Sequence, residues 1–200
     1  MKTVVVTFQN HFDLLWRRCW ERDYEYQGER YASYARVEEA CMLRWLDLAE
    51  RGRGAFVIEQ ALTMRMLLKK HPTILPRLKR LFAQGLFDVQ GSGEAIIDVN
   101  MCSPETMARN MASGTEYCRR VLGIMPLWAG HADGFGSSAQ FPQIIRGCGY
   151  AGVMGLSYCT PDNRYWRGLD GTTVLIPPTL PGRNYFFDHC YHEPCRVCHG

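Results

Sequence analysis

Short apolar runs rich in β-branched residues alternate with longer stretches of helical periodicity, and this alternation restricts the fold more than any other property of the chain. VVVTF (4–8) is a run of buried-strand type. It is followed by ERYASYARVEEACMLRWLDLAERG (29–52), where Val37, Cys41, Trp45 and Leu48 recur at helical spacing. FVIE (56–59) comes next, then a helical stretch from Leu62 to Gln84 interrupted by Pro72 and Pro76, then LFDVQ (86–90). The following helix has the clearest ends: Ser103 can cap it, Pro104 suits a first turn that needs no N–H, and Gly123 can close it. PLWAG (126–130), a helix near Ser138–Gly147, AGVMG (151–155) and TTVLIP (172–177) continue the alternation. Strands that are apolar throughout are buried on both faces, so the pattern predicts an α/β fold with a parallel sheet covered by helices. About six strands can be counted, whereas a closed (β/α) barrel usually takes roughly 250 residues, so the barrel is expected to be incomplete in this chain.

Composition excludes several classes of function. At 200 residues, 46% hydrophobic and 22% charged, the chain can bury one ordinary core. A net charge of +3 with scattered Lys and Arg argues against a nucleic-acid partner. The locally basic KKHPTILPRLKR (69–80) reads as the solvated side of a helix pair. The opening apolar run is too short for a secretory signal or a membrane span, which predicts a cytoplasmic protein without a membrane partner. Nine cysteines are mostly dispersed, and in a reducing compartment the first six (19, 41, 102, 118, 148, 159) are expected to be small core residues.

In parallel α/β folds ligands gather beyond the carboxyl ends of the strands. Two His-x-Asp elements stand there: HFD (11–13) after the first run and HAD (131–133) after PLWAG. In extended backbone, residues i and i+2 point the same way, so each His and Asp pair can converge on one point. Imidazole and carboxylate together make a sensible zinc ligand set. Each element also has a structural reading, as a hydrogen-bonded histidine at a strand end and as an aspartate that initiates a turn. Spacing alone leaves both readings open.

HFDLLW (11–16) resembles the opening of the family 38 glycoside hydrolases, the α-mannosidases, in which His-x-Asp-x-x-Trp follows the first strand. The resemblance continues in order through FVIEQ (56–60), GSGEAIIDVNMCSPETMARNMASG (91–114), DGFGSS (133–138), FPQIIRGCGY (141–150) and YWRGLDGTTVL (165–175). It implies the N-terminal part, residues 1–188, of a parallel (β/α) barrel of the seven-stranded glycoside hydrolase and deacetylase type. It implies that His11, Asp13 and Asp133 are ligands to a Zn²⁺ cofactor, that Asp133 is the catalytic nucleophile of a retaining glycosidase, and that Trp16 and Phe135 contact the sugar of a mannoside or other oligosaccharide. A divalent cation beside the nucleophile lowers its pKa, and retention also needs a protonated acid about 5–5.5 Å away. The resemblance assigns neither that acid nor a fourth ligand to residues 1–200, so the isolated chain is expected to be inactive.

The chain departs from the family pattern at Gln9, where the first His of His-x-His-x-Asp is usual, and at Gly134 and Ser137 in the nucleophile loop. His131 is not a family ligand; it reads as a hydrogen-bonding neighbour of the site or as a substitute ligand. Asp98 and Arg109 read as pocket or surface residues, and Glu59 as a pocket residue or a helix N-cap. Trp20, Trp45 and the methionines at 64, 66, 107 and 111 are expected in the core. A metal-dependent polysaccharide deacetylase, with Asp as base toward a metal-bound water, uses similar ingredients. A non-catalytic carbohydrate-binding remnant is a further alternative.

Residues 189–200 form a separate feature. His189, Cys190, His192, Cys195, Cys198 and His199 crowd together there, and Cys195-x-x-Cys198 can hold two of four tetrahedral positions on a structural zinc. The segment is read as the start of a Cys/His-rich, zinc-binding insertion, with ordinary thiols as the alternative.

Overall fold

A computed structural model describes residues 7–12, 22–26, 28–91, 93–131, 136–154 and 164–176. The described strands are β1 (Thr7–Gln9), β2 (Tyr24–Tyr26), β3 (Glu29–Tyr31), β4 (Ala55–Ile58), β5 (Phe87–Val89), β6 (Trp128–Gly130), β7 (Gly152–Met154), β8 (Tyr165–Arg167) and β9 (Thr173–Leu175). The helices are α1 (Tyr34–Glu50), α2 (Ala61–Lys70), α3 (Leu75–Ala83), α4 (Pro104–Tyr117) and α5 (Phe141–Gly147).

β1, β4 and β5 pair in parallel, as do β6, β7 and β9. The Gly91 N–H donates to the Trp128 carbonyl at 3.0 Å and ties the end of β5 to β6. Within each of these two sets the three strands run in one direction, as the apolar runs predicted. Among the described residues the sheets do not close into a barrel. β8 adds antiparallel to β9 and was not among the expected strands.

Register decides what each strand presents. In a parallel pair, aligned residues share a face and successive residues alternate. Phe8, Phe56 and Phe87 form one row on the helix-covered face, with Phe8 and Phe56 centroids 5.4 Å apart and Trp45 of α1 5.1 Å from Phe56. This row anchors the first core, with Leu46, Ile58, Met64, Leu78 and Leu81. A second core joins Ala129, Val153 and Val174 of β6, β7 and β9 to Phe141 and Ile145 of α5. Helix α4 and its continuation bridge the two, placing Met107 and Met111 in the second core and Tyr117, Cys118 and Leu122 in the first.

Helix α4 begins and ends where expected. Ser103 Oγ accepts the Thr106 N–H at 3.2 Å, and Gly123 takes a left-handed conformation at φ 77° after a π-helical turn, Cys118–Leu122. Gly114 lies so close to the Gly93 backbone that a Cβ there would sit 2.1 Å from the Gly93 carbonyl carbon, which lets α4 press on the loop after β5.

The first helix differs from expectation in two respects. It starts at Tyr34, because residues 24–31 form the antiparallel hairpin of β2 and β3. Its buried stripe is Ala35, Glu38, Met42, Trp45, Leu46 and Ala49, one residue round from the predicted stripe, so Val37, Cys41 and Leu48 are only half-buried. The stripe was misread because a glutamate occupies a core position. The basic stretch behaves as predicted. Arg77 and Arg80 pair with Glu50, Arg77 also reaches Asp47, and Lys70 and His71 both bond Glu39 at 2.8 and 2.7 Å. Burial works against ionisation of Glu39, but the bonds from Lys70, His71 and Arg36 hold its pKa down to about 2. No helix among the described residues is long and apolar enough to cross a membrane. Of the cysteines expected in the core, Cys118 is buried, and Cys41, Cys102 and Cys148 are half-buried; Cys19 and Cys159 lie outside the described residues. Trp45, Met64, Met107 and Met111 are buried as expected and Met66 is half-buried, while Trp20 lies outside the described residues.

Candidate functional site

Beyond the carboxyl ends of the parallel strands, buried residues change from apolar to polar. Continuing the register of β1, β4 and β5 past their last paired residues brings His11, Glu59 and Gln90 into one row, on the face opposite the phenylalanines. Glu59 is 1% exposed, Gln60 1% and Gln90 6%, while His131 beyond β6 is 8% exposed. Polar side chains this deeply buried require partners, and a set of side-chain pairs supplies several of them.

Glu59 Oε2 lies 2.9 Å from His11 Nδ1. Glu59 thus pairs with His11 rather than capping a helix; the N-cap of α2 is Gln60, whose side chain does not cap the helix. The Gln60 side chain works elsewhere. Its Nε2 donates to the Phe12 carbonyl at 2.8 Å and its Oε1 accepts from the Ile96 N–H at 3.0 Å, bracing the segment after β1 against the loop before α4. Gln9 Nε2 donates to Gln90 Oε1 across the strand ends. Asn10 points the other way, toward α1, and its Nδ2 donates to Glu38 Oε1. Burial pushes the Glu38 carboxyl up to about 8; the Asn10 bond opposes this and the charge of nearby Glu59 adds to it.

His131 continues β6 beside β7, its N–H donating to the Met154 carbonyl at 2.9 Å. Burial pushes its pKa down, against a hydrogen bond with the Gly136 backbone and the nearby charge of Asp98. Among the described residues its Nε2 is buried without a hydrogen-bond partner. The ring sits edge-on to Phe141, centroids 5.7 Å apart. Asp98 is half-buried, and its Oδ1 accepts the Asn100 N–H at 3.1 Å. Arg109 is a surface residue, 79% exposed and paired with Glu105 one turn away.

Residues 1–185 match the family model for the glycosyl hydrolases family 38 N-terminal domain. The chain belongs to this family.

Human alpha-mannosidase 2C1 is 30% identical over 151 residues, which cover 69% of this chain and 14% of the human protein. Alpha-mannosidase G of Dictyostelium discoideum is 24% identical over 177 residues, covering 84% of this chain and 15% of that protein. The chain thus spans about one seventh of the length of these relatives. The crystal structure of an alpha-mannosidase from Enterococcus faecalis V583 superposes with a TM-score of 0.66 at 19% identity, over 85% of this chain and 19% of that one. The two chains therefore share a fold.

Within this family 38 chain, His11 is placed at the carboxyl end of β1, as expected. Asp13, Trp16, Asp133 and Phe135 lie outside the described residues, as do Cys195, Cys198 and the remainder of the Cys/His-rich segment. Among the described residues, no three His, Cys, Asp or Glu side chains form a group able to hold a metal. The donor chemistry at His11 nevertheless suits zinc, because a ligating histidine characteristically gives its other ring nitrogen to a carboxylate or carbonyl.

Sequence reading missed Glu38, Gln60 and Gln90. The signal for Glu38 is a carboxylate at helical spacing with Ala35, Met42 and Trp45. Gln60 and Gln90 carry no signal beyond standing directly after apolar strand runs.

Proposed function

We propose that this chain forms the N-terminal part of the catalytic barrel, of seven-stranded type, in a zinc-dependent retaining glycoside hydrolase of α-mannosidase type. The observation that carries the reading is the coincidence of family 38 membership with buried polar pairs, His11–Glu59 among them, at the strand ends where such folds bind ligands. His11, Asp13 and Asp133 would hold the ion, which when bound supplies positive charge to orient sugar hydroxyls and keep a neighbouring carboxylate ionised. Asp133 would then attack the anomeric carbon. A covalent glycosyl-enzyme forms as the glycosidic bond breaks, and water later releases the sugar with net retention. Trp16 would stack on the apolar face of the ring, and Phe135 would wall the same pocket. His131 fits a neighbour of the site rather than a ligand, since its buried ring packs edge-on against Phe141. The acid that protonates the leaving group is assigned to no residue of this chain.

Zinc content and mechanism-based labelling test the reading separately. Purified protein carrying Cys195→Ser and Cys198→Ser should hold one zinc per chain, and adding Asp13→Ala or Asp133→Ala should each lose it. A fluorinated mannoside trap, applied to the protein together with whatever segment supplies the acid, should add one sugar mass to the peptide carrying Asp133. Zinc binding that survives both substitutions refutes the ligand set. Acetate release from an acetylated polysaccharide without an adduct would instead favour the deacetylase chemistry.

A further inference from the structure

We infer that Glu59 is the positioning residue for His11: its buried carboxylate accepts the Nδ1–H and so presents the Nε2 lone pair and a fixed ring plane to the site. The register makes this pairing a consequence of the fold. Gln9 is aligned with Val57 in the parallel β1–β4 pair, so the residues two further along, His11 and Glu59, come out side by side on the same face. The observed Nδ1···Oε2 distance of 2.9 Å is that of a charge-assisted hydrogen bond.

Energetics exclude an incidental contact. Glu59 is 1% exposed and a carboxylate is costly to bury, so an apolar residue at this position would be the simpler way to fill a strand end. The remaining polar side chains nearby are otherwise engaged: Gln60 braces Phe12 and Ile96, Gln90 bonds Gln9, and Glu38 bonds Asn10 on the opposite face of β1. Among the described residues, Glu59 is turned toward the imidazole, its Oε2 2.9 Å from Nδ1. Tautomer follows from chemistry: a neutral imidazole that donates from Nδ1 carries its acceptor lone pair on Nε2. The family-like element FVIEQ (56–60) contains Glu59 but gives it no role; the strand register is what sets it beside His11.

Two readouts test this, and only the second rests on the zinc reading of the site. In metal-free protein, ¹⁵N–¹H correlation spectra of the His11 ring should show the proton on Nδ1. In Glu59→Ala the ring should move toward the Nε2–H tautomer, while Glu59→Gln, whose amide oxygen can still accept, should restore the Nδ1–H form. With zinc and a competing chelator, in the same Cys195→Ser and Cys198→Ser background, Glu59→Ala should weaken binding by about 10–100-fold, and Glu59→Gln should recover most of that loss. A wild-type ring protonated on Nε2 overturns the inference without any variant, so a Glu59→Ala protein that fails to fold does not shelter it. An unchanged tautomer in Glu59→Ala also overturns it, and so does unchanged zinc affinity. Wild-type protein that takes up no zinc would refute the metal site alone, and the tautomer comparison would still decide the role of Glu59.

Discussion

Glu38 offers the sharpest physical test of the polar pairs behind the site. It occupies a core position of α1, 6% exposed, and its partner is the neutral amide of Asn10. Folding holds the carboxyl protonated to a pKa of about 8, against an ordinary value of 4.5. Stability from this group is therefore complete below pH 4.5 and is lost as pH rises toward 8. The gap of about 3.5 between the two pKa values, at about 1.4 kcal/mol each, sets a ceiling of about 5 kcal/mol above pH 8. Between pH 5 and pH 8 the loss comes to about 3 kcal/mol. Glu38→Gln keeps an oxygen to accept from Asn10 and removes the ionisation. Urea unfolding at pH 5 and pH 8 should show the wild type losing stability over this interval while the variant does not, with the two nearly equal at pH 5. Parallel profiles, differing by less than about 1 kcal/mol at pH 8, would refute the claim that Glu38 is buried in its neutral form. Glu39, next in sequence, has the opposite sign. With its pKa held down to about 2, its contribution is present above pH 4.5 and fades as acid protonates it. The two neighbours together should place the stability maximum near pH 5.

Two further substitutions probe the supports of the site. Gln60→Leu leaves the Phe12 carbonyl and the Ile96 N–H without their side-chain partner, and chemical denaturation should show a loss of about 2–4 kcal/mol. A loss below about 1 kcal/mol would mean that water replaces the amide. Gly114→Ala places a methyl 2.1 Å from the Gly93 carbonyl carbon, and α4 must shift to admit it. Thermal unfolding should register a loss of about 3 kcal/mol, and an unchanged melting temperature would show that α4 and the Gly93 loop separate easily.

Sequence alone determined the elements that rest on local chemistry. Apolar runs such as FVI and GVM form strands because β-branched and apolar residues fit a parallel sheet. Helix α4 is bounded by Ser103 and Gly123 because caps act within a few residues of the groups they satisfy. The order of motifs from His11 to Val174 was legible for the same reason, and with it the family. Tertiary structure decided what depends on neighbours distant along the chain. The one-residue rotation of α1 follows from Glu38 finding Asn10, 28 residues away, which no local pattern records. Whether Glu59 caps a helix or serves the pocket was undecidable from its position, since both readings suit the last residue of a strand run. The parallel register of β1 and β4 settled it by setting Glu59 beside His11, 48 residues distant. Partners of buried polar groups are chosen by packing across strands, and only the folded chain brings them together.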